Sequence, residues 1–374
     1  MTPKPDNTGL DGIKLVTEPT EKLLNDKQLV IYRDHREKLA RWALSLGKNP
    51  RKAQGYARET VAQRMYRLDR FYRFVWDEFD GFTLDVSTEH ADEWMKALAM
   101  RDTTETYNAS CQKAVKMLFK WYEFERAQPV EWEPIIRFSS NSSGRNPRHY
   151  FTVETLQQLQ AASLEMETLP GYTNVTPEER ADINRYLAQR LGKPKSRIGP
   201  DDWEQVNSWK VPAMIHMTID AGLRNKEVSQ SKVSWIDWDA KALRIPVKDS
   251  VKSDDEWVAA LRSKTVLILE RWVEERDVRE KYADTDYLFL TRYGNPYGQQ
   301  GLNRLLDRLC ECAGVDASKA TWYSIRRSLA THLQPEGGPK ATQLQARHKN
   351  PETTMRYDQA PVETRREALE RTFG

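Results

Sequence analysis

Ala346-Arg347-His348-Lys349-Asn350-Pro351-Glu352-Thr353-Thr354-Met355-Arg356-Tyr357 sets a tyrosine nine residues after a histidine and places both among cations. A phenol with an ordinary pKa of about 10 is a poor nucleophile at neutral pH, and only converging positive charge would favour its phenolate. Taken alone, the stretch reads as a surface turn ending in a half-buried tyrosine. Its meaning depends on what lies upstream.

Just before it runs Thr321-Trp322-Tyr323-Ser324-Ile325-Arg326-Arg327-Ser328-Leu329. Ile325, Leu329 and Leu333 fall four apart, which predicts a helix with Tyr323 and Arg326 on one face. Further back, the apolar run Met214, Ile215, Met217, Ile219 predicts a buried helix stopped at Gly222, a residue suited to a left-handed cap. Leu223-Arg224-Asn225-Lys226-Glu227 follows at once, so Arg224 would be held on a rigid element. Between Ser234 and Leu261 the apolar period changes to two, predicting three short antiparallel strands at 235–238, 243–247 and 257–261. The polar turn between the last two carries Lys248 and Lys252, either of which could reach a reacting group. Further helices are expected from Thr152 to Leu159, behind the Thr176-Pro177-Glu178-Glu179 capping box to about Leu191, and over 265–278, 300–312 and 362–373; a strand is expected over 287–291.

The N-terminal part has a different texture. Residues 1–20 contain Pro3, Pro5, Gly9, Gly12 and Pro19 and read as a flexible arm. Residues 21–128 are helical throughout, with the clearest stripe at Val61, Met65, Leu68, Tyr72, Val75 and Phe79. Lys48, Arg51, Lys52, Arg58, Arg64, Arg67, Arg70 and Arg73 face only Glu59 and Asp69, a local charge of +6 in a chain whose net charge is +3. Lys113, Lys116 and Lys120 form a second basic ridge on another helix. Basic helical ridges with interleaved aromatics suit a polyanion, supplying phosphate contacts that position a protein without reading sequence. Pro129, Pro134 and the Ser/Asn/Gly run before Pro147 mark a linker over 129–148, after which a second domain occupies 149–374.

At 39% hydrophobic and 30% charged residues the chain reads as globular and soluble. It has no apolar run near the roughly 20 residues of a membrane span and no secretion-signal core, so a cytoplasmic protein is expected. Cys111, Cys310 and Cys312 are too few for a disulfide framework and lack zinc-site spacing; buried free thiols are expected, and no metal or other cofactor. Neither a phosphate-binding Gly-x4-Gly-Lys-[Ser/Thr] loop nor a His-Glu-x-x-His motif is present.

Together these residues resemble the tyrosine recombinase (phage integrase) family. The resemblance rests on Gly222-Leu223-Arg224 with Glu227, Lys252 in a strand hairpin, Tyr323 with Arg326, and His348 with Tyr357, all in the family's order. It implies a two-domain DNA clamp: an all-α core-binding domain, then a mainly α catalytic domain with a small three-stranded antiparallel sheet. It also implies double-stranded DNA as substrate and a homo-oligomer, a tetramer on paired sites. Arg224 and Arg326 would neutralise a phosphodiester, Tyr357 would attack it, Lys252 would protonate the leaving 5′ oxygen, and His348 would bond a nonbridging oxygen. Tyr323 stands where the family most often has histidine; it can donate one hydrogen bond but cannot be an imidazolium. Two other readings share these residues: DNA relaxation of the type IB topoisomerase kind, and a catalytically idle DNA-binding protein of the same descent.

Overall fold

Val61, Met65, Leu68, Tyr72 and Val75 are all fully buried, so the stripe legible in the sequence is the seam along which the first group of helices packs. The last residue of that stripe, Phe79, lies just beyond its helix and is exposed. The computed structural model describes residues 10–79, 81–127, 129–139, 149–166, 169–249, 256–348 and 366. The chain divides between Asn146 and Pro147 into two compact units. No helix among the described residues is long and apolar enough to cross a membrane.

The first unit contains α1 (Glu18–Leu23), α2 (Asp26–Ser45), α3 (Arg58–Glu78), α4 (Thr88–Ala99) and α5 (Glu105–Arg126). Side-chain oxygens at three helix starts accept from backbone N–H groups of the first turn: Asn25 for α2, Ser87 for α4 and Thr104 for α5. Tyr32, Leu39, Phe71, Trp94 and Leu118 fill the core between the helices.

Two expectations are corrected here. Residues 10–20 are not a loose arm: Ile13, Leu15 and Val16 are buried, and Thr17 and Thr20 donate to the buried Asp69 carboxylate at 2.5 and 2.7 Å. The prolines and glycines shape this segment around the bundle; its apolar residues and the need of Asp69 for donors hold it there. Residues 129–139 likewise belong to the first unit. Trp132 is buried and donates to Asp92 at 3.1 Å, while Gln112 donates to the Ile136 carbonyl at 2.8 Å.

The second unit contains α6 (Val153–Ser163), α7 (Pro177–Leu191), α8 (Pro200–Glu204), α9 (Lys210–Ala221), α10 (Asn225–Gln230), strands β1 (Ile236–Asp237), β2 (Ala242–Ile245) and β3 (Trp257–Ala260), then α11 (Ser263–Asp277), α12 (Gln299–Ala313) and α13 (Trp322–Ala346). Every residue of α9 is buried, which makes it the axis on which α6, α11 and α13 pack. The sheet is antiparallel in the order β1-β2-β3, with Leu243 opposite Ala259 and Ile245 opposite Trp257. A satellite cluster of Leu169, Ile183, Tyr186, Leu187, Ile198, Trp203 and Val206 packs α7 and α8.

No strand forms over 287–291. Lys232 bridges Tyr287 and Leu290 bridges Pro296, while the Leu290 N–H is taken by the Tyr282 hydroxyl at 2.9 Å. The donors and acceptors of this segment are spread over separate loops, so no ladder can build. The helix predicted from Trp322 continues to Ala346, broken at Gly338, whose φ of 75° and ψ of 171° are not helical. Apart from Arg366, the helix expected over 362–373 lies outside the described residues.

Asp69 accepts from Thr17, Thr20 and, at 3.2 Å, Tyr32 while fully buried. Asp69→Ala leaves three hydroxyls without their acceptor and should cost about 2–4 kcal/mol in urea unfolding of the whole chain. A loss below about 0.5 kcal/mol would show that the N-terminal segment is not held through this carboxylate.

Candidate active site

The site is built where α9 ends. Gly222 closes that helix in the left-handed region at φ 55°, a conformation that favours glycine, and a β-carbon there would lie 2.7 Å from Leu329 Cδ2, so that leucine would have to shift for any other residue. Two residues on, Arg224 is the extended residue that precedes α10. Glu227, in the first turn of α10, accepts from the Arg224 backbone N–H and from its guanidinium, both at 2.7 Å. The contact that caps α10 therefore also fixes the direction of the arginine.

The second arginine arrives on α13. Thr321 and Ser324 cap the start of that helix, and Trp322 N–H donates to Asn303 at 2.9 Å, fixing its first turn against α12. Arg326, one turn in, is completely buried. It donates to the Gly222 carbonyl and to the Ala346 carbonyl, tying the end of α9 to the end of α13.

The end of α13 supplies the third element. Arg347 takes a left-handed conformation, φ 54°, which is unfavourable for a side-chain-bearing residue and is sustained here by burial of its guanidinium. That guanidinium donates to the Ala221 and Gly222 carbonyls at 3.0 Å and to Glu227 at 2.9 Å. The Arg347 carbonyl accepts from Arg224 at 3.3 Å. His348 follows, buried, its backbone N–H donating to the Gln343 carbonyl at 3.0 Å.

Two guanidiniums, those of Arg224 and Arg347, thus bond a single carboxylate, and Arg326 acts on it through its charge. Burial by itself would raise the Glu227 pKa, but Arg347 and Arg224 outweigh it and hold the carboxyl below its ordinary range. Burial lowers the Arg347 guanidinium to about 10 against the pull of Glu227. Burial, reinforced by Arg326, Arg224 and Arg347, lowers the His348 imidazole to about 3. The excess of positive charge, with histidine kept neutral, defines a receptor for an anion.

The hairpin is pinned to the same corner. Asp220 on α9 accepts from the Arg262 backbone at 2.8 Å and from its guanidinium at 2.7 Å. Gln345 on α13 accepts from the Ala260 N–H at 3.1 Å and donates to the Ala260 carbonyl at 2.8 Å, so one amide satisfies both backbone groups of Ala260 on the free edge of β3.

Of the residues singled out from sequence, Arg224, Arg326 and His348 come together, with Glu227 between the arginines. Tyr323 is half-buried on the first turn of α13 with the Arg327 guanidinium over its ring at 5.0 Å. Lys248 is exposed just after β2. Lys252 and Tyr357 lie outside the described residues. Arg347 and Gln345 were not singled out as site-forming. They lie on no apolar period, and the only signal in the sequence is the position of Arg347 directly before His348.

The basic ridges of the first unit are partly engaged internally. Arg64 covers the Tyr56 ring at 4.1 Å, Arg70 donates to the Tyr107 hydroxyl at 2.5 Å with Arg67 over the same ring, and Arg73 pairs with Asp69 at 3.6 Å. Lys120 donates to the Gly47 and Lys48 carbonyls at 2.9 and 3.1 Å. Lys48, Arg51, Lys52, Arg58, Lys113 and Lys116 are exposed.

Residues 202–363, which contain every catalytic candidate named above, match the model of the phage integrase family. This region of the chain is therefore similar to that family. It is 28% identical over 153 residues to tyrosine recombinase XerC 2 of Ralstonia nicotianae, covering 40% of this chain and 43% of that protein. It is 23% identical over 167 residues to tyrosine recombinase XerC of Chlamydia muridarum, covering 44% and 51%. The chain thus spans about half the length of the curated relatives it matches. Its fold is similar to that of the XerH site-specific recombinase bound to palindromic difH substrate in a post-cleavage complex, with a TM-score of 0.58 and 14% identity over 96% of this chain and 90% of that one. It is also similar to the Tn1549 transposon integrase in complex with transposon right end DNA, with a TM-score of 0.54 and 13% identity over 89% and 98%.

His348 at about 3, with His35 and His216 at about 4, remain neutral in the folded chain, whereas in the unfolded chain each would protonate near pH ~6.5. Their folded pKa values are depressed, so the stability they preserve is complete above about pH 6.5 and is lost as pH falls toward 4. Imidazole nitrogen shifts of the DNA-free protein at pH 5.5 should report a neutral His348 ring; an imidazolium spectrum there would contradict the site's electrostatics.

Proposed function

We propose that this chain cleaves and rejoins DNA strands at specific sites through a covalent 3′-phosphotyrosyl intermediate at Tyr357. The observation that carries the reading is the convergence of Arg224 and Arg326, from separate helices, on one corner beside neutral His348. A phosphodiester repels nucleophiles through its anionic oxygens, and two guanidiniums fixed by backbone carbonyls and Glu227 are suited to offset that repulsion as charge builds on the pentavalent state. Because their orientation is set before substrate arrives, little reorganisation opposes the reaction.

In the proposed cleavage the Tyr357 oxygen bonds to phosphorus, the bond from phosphorus to the 5′ oxygen breaks, and Lys252 supplies a proton to the departing 5′ hydroxyl. His348, held neutral, donates a single N–H to a nonbridging oxygen. Tyr323 contributes a hydroxyl to the same phosphate and takes no part in proton transfer near neutral pH. The phosphotyrosyl bond conserves the energy of the phosphodiester, so a 5′ hydroxyl from a second strand reverses the step without ATP or a metal. Exchange between duplexes would need two sites in one assembly, and a homotetramer on paired sites supplies the four tyrosines required.

The exposed cations of the first unit would serve as phosphate contacts along the duplex. Lys116→Ala should weaken binding about equally on all duplexes and lower the magnitude of the log Kd against log salt slope by about 1. A loss confined to one DNA sequence would mean that Lys116 reads bases.

The test of the reaction begins with a library of nicked duplexes randomised around the nick, from which covalently captured strands are recovered and sequenced. Wild-type protein should yield a denaturant-resistant adduct on an enriched sequence, and Tyr357→Phe should abolish it. Arg326→Ala should slow cleavage of that sequence by about 10²–10³-fold, about 3 kcal/mol or more of barrier. Absence of any adduct with wild-type protein would leave a DNA-binding protein without cleavage activity; an adduct followed only by loss of supercoils would indicate relaxation without exchange.

A further inference from the structure

Arg347 occupies the centre of the site although the reaction proposed above gives it no step. Its guanidinium is buried, yet its chain direction is one that side-chain-bearing residues avoid. It shares Glu227 with Arg224, the two guanidiniums taking opposite oxygens at 2.9 and 2.7 Å. It shares the Gly222 carbonyl with Arg326. Its own carbonyl receives Arg224, and the carbonyl before it receives Arg326. Arg347 thus shares an acceptor with each of these two arginines through its side chain.

Consider Glu227 without Arg347. A carboxylate bound to one arginine forms a closed, neutral pair, and that arginine offers an approaching anion little net charge. With a second guanidinium on its other oxygen the carboxylate's charge is divided, and Arg224 retains positive character toward a phosphate. The second guanidinium also fixes the plane of the carboxylate, and through it the direction in which Arg224 points. Two orphaned nitrogens of Arg347, Nε and Nη1, are buried without a hydrogen-bond partner, a cost that the pairing with Glu227 and the two carbonyls must offset.

We infer that Arg347 is a positioning residue for strand cleavage: it divides the charge of Glu227 and fixes its plane, so that Arg224 meets the scissile phosphate correctly oriented and still cationic. The inference rests on the cleavage reading proposed above and deepens it, since it identifies which interaction makes the first arginine effective.

The experiment uses the full-length protein and the duplex recovered by covalent capture, prepared in two forms: with a phosphodiester at the scissile position, and with a methylphosphonate there, which lacks the negative charge. Single-turnover cleavage rates and DNA affinity are measured for wild type, Arg347→Gly and Arg347→Lys. Glycine accepts the positive φ without strain, and lysine keeps the charge but cannot make the forked contacts. On the phosphodiester, Arg347→Gly should cleave about 30–100-fold more slowly with affinity changed less than about threefold. On the methylphosphonate, where guanidinium charge matters less, the loss should shrink to about fivefold or less. Arg347→Lys should fall between wild type and Arg347→Gly on the phosphodiester.

Equal losses on the two substrates would mean that Arg347 only supports the fold, and an unchanged rate in Arg347→Gly would mean that Glu227 and Arg224 need no help; either overturns the inference. Should thermal melting show Arg347→Gly unfolded, Arg347→Lys decides alone, by whether its loss is smaller on the methylphosphonate. If wild-type protein cleaves neither substrate, the cleavage reading fails and this inference with it. If wild type cleaves and the Arg347 variants match it, only this inference fails.

Discussion

A buried carboxylate cannot stand alone, and Glu227 is the constraint on which the second unit's functional corner depends. It lies in the first turn of α10 with almost no solvent contact, so its charge must be met by protein groups. Meeting it requires Arg224 at the head of α10 and Arg347 at the foot of α13 to come together, although 123 positions separate them in the chain. The remaining donors of the arginines then need acceptors, which the frayed carbonyls at the end of α9 provide. Those carbonyls carry the negative end of the helix dipole and are well placed to hold cations. The outcome is a corner where three helix termini meet and positive charge exceeds negative.

The same logic extends to the sheet. Asp220, one residue before the end of α9, holds Arg262 just after β3, and Gln345, two residues before Arg347, bonds both backbone groups of Ala260 on the free edge of β3. A strand edge left open would be a place for slippage or association. At Ala260 it is covered by the helix that carries Arg326, which ties the end of the strand to the arginine corner. Gly222 makes this possible by turning the chain through a left-handed conformation that favours glycine.

How much of this was legible in the sequence differs by residue. Arg224 and Arg326 could be placed because one follows a glycine cap and the other lies on an apolar helix, whereas Glu227 and His348 were named through the motifs that carry the family resemblance. The helices were legible from local spacing, in stripes such as Val61 to Val75. The contribution of Arg347 was not, because nothing local distinguishes a buried arginine from an exposed one at a helix end; its partners are 120 or more residues away. Gln345 and Asp220 escaped similarly. At the N-terminus the error had a different origin: prolines and glycines in residues 10–20 were read as signs of looseness, whereas Ile13, Leu15 and Val16 had apolar surface to bury and Asp69 needed donors. Residues 129–139 repeat the lesson through Trp132. The strand expected at 287–291 failed because β character in sequence says nothing about whether a partner edge is present.

The neutrality of His348 gives the corner a further property. Its imidazole is kept from protonating by burial and by the arginines Arg326, Arg224 and Arg347, all cations. An anion bound among those arginines would offset their repulsion and raise the histidine's proton affinity, so anion binding and proton uptake are thermodynamically linked at this position. The histidine would thus respond to bound charge in the direction that strengthens a hydrogen bond to it.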